Sequence, residues 1–340
     1  MPKIGDFEKF AFIVGAPRCG TTTMSRLLQA HPEVLFPFVK EPHFFSLHDL
    51  RGLSDRHLRE SVEGDYLDHF FDPPSPGQRV GADGSVSYLY MPEQLEPVLR
   101  LWPESRFIIG VRDPMTLLPS LHKRLVYIGD ETLTRFEEAW AAVPERAAGR
   151  RIPRSCIDPR WLRYDEAGRL ATYVERLFAT VGRERCLVVI FDDLVANQER
   201  EFRRILDFIG LDSAQIPDVQ AERESRGVRY PWLQRLLKRP PKVLHPLVAG
   251  IEYRRRFMNR GGKHLVNGAN GTAADKILSL RKRILEWNDA ENPNEPISAD
   301  VQQEIRLHFR DEVERLSSLI GRDLGHWLQP SDGSNKLASP

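Results

Sequence analysis

The stretch FIVGAPRCGTTTM, from Phe12 to Met24, carries the residues with the clearest chemistry. An apolar run ends in Gly15, a second glycine follows at Gly20, and Thr21, Thr22 and Thr23 come next, giving G-x-x-x-x-G-T-T. A loop between a buried strand and the start of a helix presents unpaired backbone amides at the positive end of the helix, which suits an anion. The three hydroxyls add donors. A nucleotide triphosphatase has a lysine where Thr21 stands and uses it on the β and γ phosphates beside magnesium, so that chemistry is disfavoured. The nearest cation is Arg18, inside the loop, whose planar guanidinium can reach two oxygens of one group. The competing reading of this stretch alone is a tight turn, a helix cap and a surface arginine.

Three further stretches hold candidates. In KEPHFFS, Glu41 and His43 lie two apart on what reads as extended chain and so point to one side, a carboxylate and an imidazole suited to acid–base work. Their structural alternatives are a salt-bridged loop carboxylate and a packing histidine; Phe44 and Phe45 read as core. In VRDPMTLLPS, Arg112 ends an apolar run and Ser120 follows eight residues on, in the next helix, so that an arginine and a hydroxyl can converge on a phosphate. Asp192 and Asp193, after VVIF, offer the magnesium carboxylates a kinase would need. No metal is expected: the ten histidines are scattered and the three cysteines lack zinc-ligand spacing.

These candidates need rigid elements behind them. FAFIVGA (Phe10–Ala16), RFIIGVR (Arg106–Arg112) and CLVVIF (Cys186–Phe191) are short apolar runs without alternation, as expected of strands buried on both faces. TTTMSRLLQAH, MPEQLEPVLRLW and GRLATYVERLFATVG, which carry apolar residues three or four apart, are predicted helices. The alternation predicts an α/β fold, a parallel sheet flanked by crossover helices around a P-loop-like nucleotide-binding core. The organisation expected is a single domain over 1–330 with inserts near 130–160 and 222–270, a long amphipathic helix closed near Gly321, and a disordered tail over 331–340.

A formal charge of +1 gives no global attraction to nucleic acid, so basic function has to be local. It concentrates in the proline-broken stretch from Glu222 to Lys263, which lacks a nucleic-acid recognition module. An odd cysteine count, no apolar leader and no run of apolar residues long enough to span a bilayer lead to the expectation of a cytoplasmic protein without a membrane span.

GAPRCGTTTM, KEPHFFS and VRDPMTLLPS, in that order, resemble the sulfotransferases that use 3′-phosphoadenosine 5′-phosphosulfate (PAPS), in particular their bacterial and carbohydrate-type branch. The likeness extends through VVIFDDLVANQEREFRRILDFIGL to LIGRDLGHWL and covers most of Phe10 to Leu328. It implies that Arg18, Cys19, Gly20, Thr21, Thr22 and Thr23 hold the 5′-phosphosulfate, that Arg112 and Ser120 hold the 3′-phosphate, and that the missing lysine reflects a donor with no γ phosphate and no metal. It ranks Glu41 first and His43 second as the base, and implies in-line transfer to a hydroxyl, or less readily an amine, of a carbohydrate or small metabolite. In GADGSVSYLY (Gly81–Tyr90), Asp83, Ser85 and Tyr88 match an acidic residue, a serine and a tyrosine of relatives, but Gly84 stands where they have a lysine, which argues against a second cation on this loop. A late basic loop, NRGGKH or RESRGVR, would close over the 3′-phosphate; the alternatives for this stretch are a seat for an acidic or lipid-linked acceptor and a solvated face. The competing functions are a nucleotide kinase on a related fold and a non-catalytic nucleotide-binding module.

Overall fold

The computed structural model describes residues 1–213, 227–238, 273–290 and 297–329. The chain forms β1 (Lys9–Gly15), α1 (Thr21–Ala30), β2 (Val34–Leu35), α2 (Phe44–Leu47), β3 (Val80–Asp83), β4 (Arg106–Val111), α3 (Pro114–Ile128), α4 (Leu170–Val181), β5 (Cys186–Ile190), α5 (Phe191–Ala196), α6 (Gln198–Ile209), β6 (Gly227–Val228), α7 (Pro231–Lys238), α8 (Ala273–Asn288), β7 (Asp289–Ala290) and α9 (Ala299–Ile320), with shorter helices between. It divides into two compact units: Met1–Leu117 with Gly168–Arg223 and Gln303–Pro340, and Leu118–Ala167 with Glu224–Gln302.

The first unit is built on a five-stranded sheet in the order β2-β3-β1-β4-β5, with every pairing parallel. From β1 the chain fills one side of the sheet and then the other, so the order reverses at β1, where open α/β sheets bind ligands at their carboxyl ends. Phe10, Phe12 and Phe107 sit on one face of the sheet with Phe45, Tyr66 and Tyr88, and Phe12 stacks on Phe107 at 5.5 Å. The opposite face packs Ile13, Ile108 and Val189 against Met24 and Leu28 of α1 and Phe202 and Ile205 of α6. Each strand is thus buried on both sides, as its unalternating apolar sequence requires.

The expected strands at 10–16, 106–112 and 186–191 are present within a residue of their bounds. α9 ends at Gly321, whose φ of 66° is the left-handed conformation glycine adopts after a helix. β2 and β3 were not legible. β3 is VGAD, and its Gly81 is required by packing: a Cβ there would lie 2.3 Å from the Phe10 ring. A strand with a glycine at its centre gives almost no β signal.

The second unit has helices at Phe136–Ala141 and Val143–Ala147 in the expected insert, and a buried ion pair between Arg146 and Glu131 at 2.8 Å. Tyr164 donates to the same carboxylate at 3.0 Å and Arg146 Nη1 to the Leu162 carbonyl at 3.4 Å, while among the described residues the buried Arg146 Nε finds no partner. The tail over 331–340 and most of the 222–270 insert lie outside the described residues.

Candidate active site

The loop after β1 is shaped by close backbone contacts. Gly15, Arg18 and Gly20 all have positive φ, 141°, 67° and 78°. A side chain at Gly20 would meet Leu194 at 2.5 Å, and one at Gly110 of β4 would meet the Cys19 carbonyl at the same distance. Glycine at these positions lets the loop lie directly on the strand ends. The Ala16 amide donates to the Gly110 carbonyl at 2.8 Å, continuing the β1–β4 pairing into the loop. Because Gly20 is the N-cap of α1 and has no side chain to cap with, the first-turn amides of Thr21, Thr22 and Thr23 face outward for an anion. Thr22 and Thr23 are half-buried, as is Arg18.

Cys19 is fully buried and its thiol is pushed up to about 12 by burial, so it offers the site backbone only. Arg112 donates from Nη1 to the Arg18 carbonyl at 3.1 Å and from Nε to Thr116 Oγ1 at 2.9 Å, with its guanidinium 4.2 Å from the centre of the Phe191 ring. It therefore braces the anion loop from β4. Ser120 is on the part of α3 that belongs to the second unit, as are Arg124 and Tyr127.

Glu41 and His43 meet, but not because the chain is extended there. His43 has φ 56°, and this left-handed turn at the start of α2 swings its ring back onto Glu41, with Nε2 to Oε2 at 3.4 Å. Nδ1 of the same ring is 2.7 Å from Ser87 Oγ, and the His43 amide donates to Ser85 Oγ at 2.8 Å. Ser46 Oγ donates to the His43 carbonyl at 3.0 Å and lies 2.7 Å from Ser87 Oγ. With Nε2–H on Glu41, Nδ1 accepts from Ser87, so every polar atom of the imidazole is engaged. Lys40 Nζ sits 2.6 Å from Glu41 Oε1. Burial alone would raise the Glu41 carboxyl, but the hydrogen bond from His43 and the Lys40 charge more than offset it and hold the group near about 2.

The loop from Gly84 to Ser87 joins the two clusters. Val86 packs its carbonyl where a Gly15 side chain would be, at 2.8 Å. Gly84 fits between α1 and the Glu41 segment: a Cβ would stand 2.6 Å from Ser25 Oγ and 3.2 Å from the Lys40 carbonyl. Ser25 is buried, and among the described residues its hydroxyl has no partner. Beneath, buried Asp83 accepts from Tyr66 OH at 2.8 Å, Tyr88 OH at 2.9 Å and the Ser85 amide at 2.8 Å, which fixes the start of the loop. Burial keeps this carboxyl above its usual range. Ser46, Ser87 and Ser25 were missed as site residues, since isolated serines carry no spacing signal, whereas Asp83, Ser85 and Tyr88 were named by the resemblance; Phe44 and Phe45 are buried, as expected.

The acids after β5 have other work. Asp192 accepts from Trp327 Nε1 at 3.1 Å and Asp193 from Arg322 at 3.1 Å, so both hold the C-terminal segment. Among the described residues no cluster of histidine, cysteine and carboxylate side chains has a metal-binding arrangement.

A profile of the sulfotransferase family matches residues 11–82 and 41–215, taking in the anion loop, the Glu41 cluster and β1 to β5. This chain belongs to the sulfotransferase family. It is 26% identical over 211 residues to protein-tyrosine sulfotransferase 2 of Gallus gallus, a match covering 59% of this chain and 50% of that protein. It is 46% identical over 65 residues to carbohydrate sulfotransferase 15 of Homo sapiens, covering 17% of this chain and 11% of that protein. The chain thus spans about half the length, or less, of these curated relatives. A solved sulfotransferase from Alicyclobacillus acidocaldarius shares its fold, with a TM-score of 0.59 at 23% identity over 94% of this chain and 98% of that one. The NRGGKH segment and all but Gly227–Arg229 of RESRGVR lie outside the described residues.

Proposed function

We propose that this sulfotransferase moves the sulfuryl group of PAPS to a hydroxyl of a carbohydrate or small metabolite, with Glu41 as base. The observation that carries the reading is the joint at Gly84–Ser87, which ties an anion loop with open amides to a carboxylate–imidazole pair within one unit. The loop suits a phosphosulfate: it has backbone amides, two half-buried threonine hydroxyls, Arg18, and close by the unpartnered Ser25 hydroxyl. The family's use of PAPS supports the donor, and Ser120 stays a proposed ligand of its 3′-phosphate with Arg112. A cytoplasmic location is proposed on the three free thiols.

In the transfer, Glu41 accepts the acceptor's proton as the acceptor oxygen bonds to sulfur. The sulfur–oxygen bond to the 5′-phosphate breaks, and 3′-phosphoadenosine 5′-phosphate leaves. Arg18 and the amides of Thr21–Thr23 hold the charge that grows on the departing phosphate. His43 fixes the Glu41 carboxylate through Nε2–H and is itself fixed by Ser87 and Ser85, so the base is oriented before the acceptor arrives. Lys40 steadies the anionic form of Glu41.

A second acceptor class, the phenol of a tyrosine, is favoured by the protein-tyrosine sulfotransferase match, which is the longer of the two curated ones. Incubation with sulfur-labelled PAPS and separate pools of oligosaccharides, small hydroxylated metabolites and tyrosine peptides decides between them. Label in the oligosaccharide or metabolite pool, lost with Glu41→Gln, supports the main reading; label in peptides alone replaces its acceptor; no label in any pool overturns it.

A further inference from the structure

The second unit contains a helical hairpin whose polarity is inverted. β6 pairs antiparallel with β7, and α7 lies against α8. Their seam is polar and fully satisfied: Asn288 Nδ2 donates to the Tyr230 carbonyl at 3.2 Å and to Gln234 Oε1 at 3.1 Å, Asn288 Oδ1 accepts the Tyr230 amide at 2.9 Å, and Gln234 Nε2 donates to the Tyr127 carbonyl at 3.0 Å. Gln234 and Asn288 are both fully buried.

The apolar side chains face outward instead. Trp232 is 60% exposed and Trp287 55%, with Leu236, Leu280 and Tyr230 each near half exposed or more. Of the eleven exposed large apolar side chains among the described residues, five fall on this hairpin. Trp232 and Leu236 are one turn apart on α7, and Leu280 and Trp287 are two turns apart on α8, so each pair forms a stripe. Tyr230 stacks on Trp287 at 5.7 Å and 18°, joining the start of α7 to the end of α8. Arg229, Lys282 and Arg283 are exposed on the same hairpin, and Arg235 partly so. In the sequence joining the two helices, residues 239–263 carry seven lysines and arginines against one glutamate, within a chain whose formal charge is only +1.

We propose that this hairpin is a membrane-surface element that docks the enzyme on an anionic lipid bilayer. Indole and phenol rings partition to the headgroup level, leucines reach the acyl boundary, and arginine and lysine pair with lipid phosphate and carboxylate. Charge alone suffices for a dissolved polyanion, whereas an anionic bilayer surface engages the leucines of both stripes together with the indoles and the cations. No helix among the described residues is long and apolar enough to cross a membrane, so the contact is with the surface. The assignment uses neither the anion loop nor Glu41, both of which belong to the first unit.

The test is co-sedimentation of the full chain with phosphatidylcholine vesicles made with and without phosphatidylserine, read together with tryptophan emission. Binding to the anionic vesicles with a blue shift is expected. Trp232→Ser with Leu236→Ser should weaken it about tenfold without lowering the melting temperature, since both side chains are exposed. Arg283→Gln should weaken it and reduce its salt dependence. Failure to bind anionic vesicles overturns the proposal. So does binding that survives the Trp232 and Leu236 changes, or retention on heparin without any vesicle binding, which would identify a polyanion site.

Discussion

Glu41 as base makes a specific claim about acid pH. Its carboxyl is held near about 2, so it stays ionised as pH falls, and its stabilising contribution is present above the usual glutamate value of 4.5 and lost only on approach to about 2. At about pH 5 its anion outnumbers the acid by roughly a thousand to one, so kcat/KM should be flat from about pH 8 to about pH 5. A histidine base of ordinary pKa, about 6.5, would instead lose roughly 30-fold over that interval. Lys40 supplies the handle. At 2.6 Å its attraction for Glu41 is about 1.6 kcal/mol even at the dielectric of water, and since both side chains are about one-third exposed, screening keeps the value near that figure. Lys40→Met should therefore raise the carboxyl by about one pH unit and bring an acid limb into view at about pH 3 to 4, while Lys40→Arg leaves the profile flat. Glu41→Gln should lower turnover by about 10²- to 10⁴-fold with product-nucleotide affinity retained. The assay is initial rate of 3′-phosphoadenosine 5′-phosphate release across pH. An acid limb at about pH 6.5 in the unaltered enzyme, or a fully active Glu41→Gln, refutes the assignment.

Other outcomes follow from the same contacts. Gly84→Ala should lower stability by about 2 kcal/mol by thermal melting, because its Cβ would fall 2.6 Å from Ser25 Oγ, and adding Ser25→Ala should restore at least half of the loss. Arg112→Ala removes the brace on the Arg18 carbonyl and a guanidinium beside the loop, and should weaken binding of 3′-phosphoadenosine 5′-phosphate by about tenfold or more, by calorimetry. Asp113 caps α3 by accepting the Met115 amide at 2.9 Å, yet burial lifts its carboxyl to about 6. Its ionised form thus costs stability as pH rises through that value, and Asp113→Asn should raise the melting temperature more at about pH 8 than at about pH 5.

What the sequence made legible follows from what each element asks of its side chains. β1, β4 and β5 are buried on both faces and must be apolar throughout, so they stand out; β3 has to accommodate the Phe10 ring with Gly81, and that need erases its signal. The anion loop could be read because glycines, threonines and an arginine at fixed offsets are what such a loop needs. Glu41 and His43 were legible as residue types, but their meeting depends on the left-handed backbone of His43, which a histidine rarely adopts and which spacing does not disclose. Ser85 was legible only through the motif it shares with relatives, and Ser87 not at all, because what aims this loop is Asp83 held by two buried tyrosines, a tertiary cause with no local signature.

The measurement that bears most directly on the account is a calorimetric titration with 3′-phosphoadenosine 5′-phosphate against ADP and 5′-AMP, without magnesium. Marked preference for the 3′,5′-bisphosphate, reduced in Arg112→Ala, is the expected result. Equal affinity for the three nucleotides, or tight binding of a triphosphate only when magnesium is added, would contradict it.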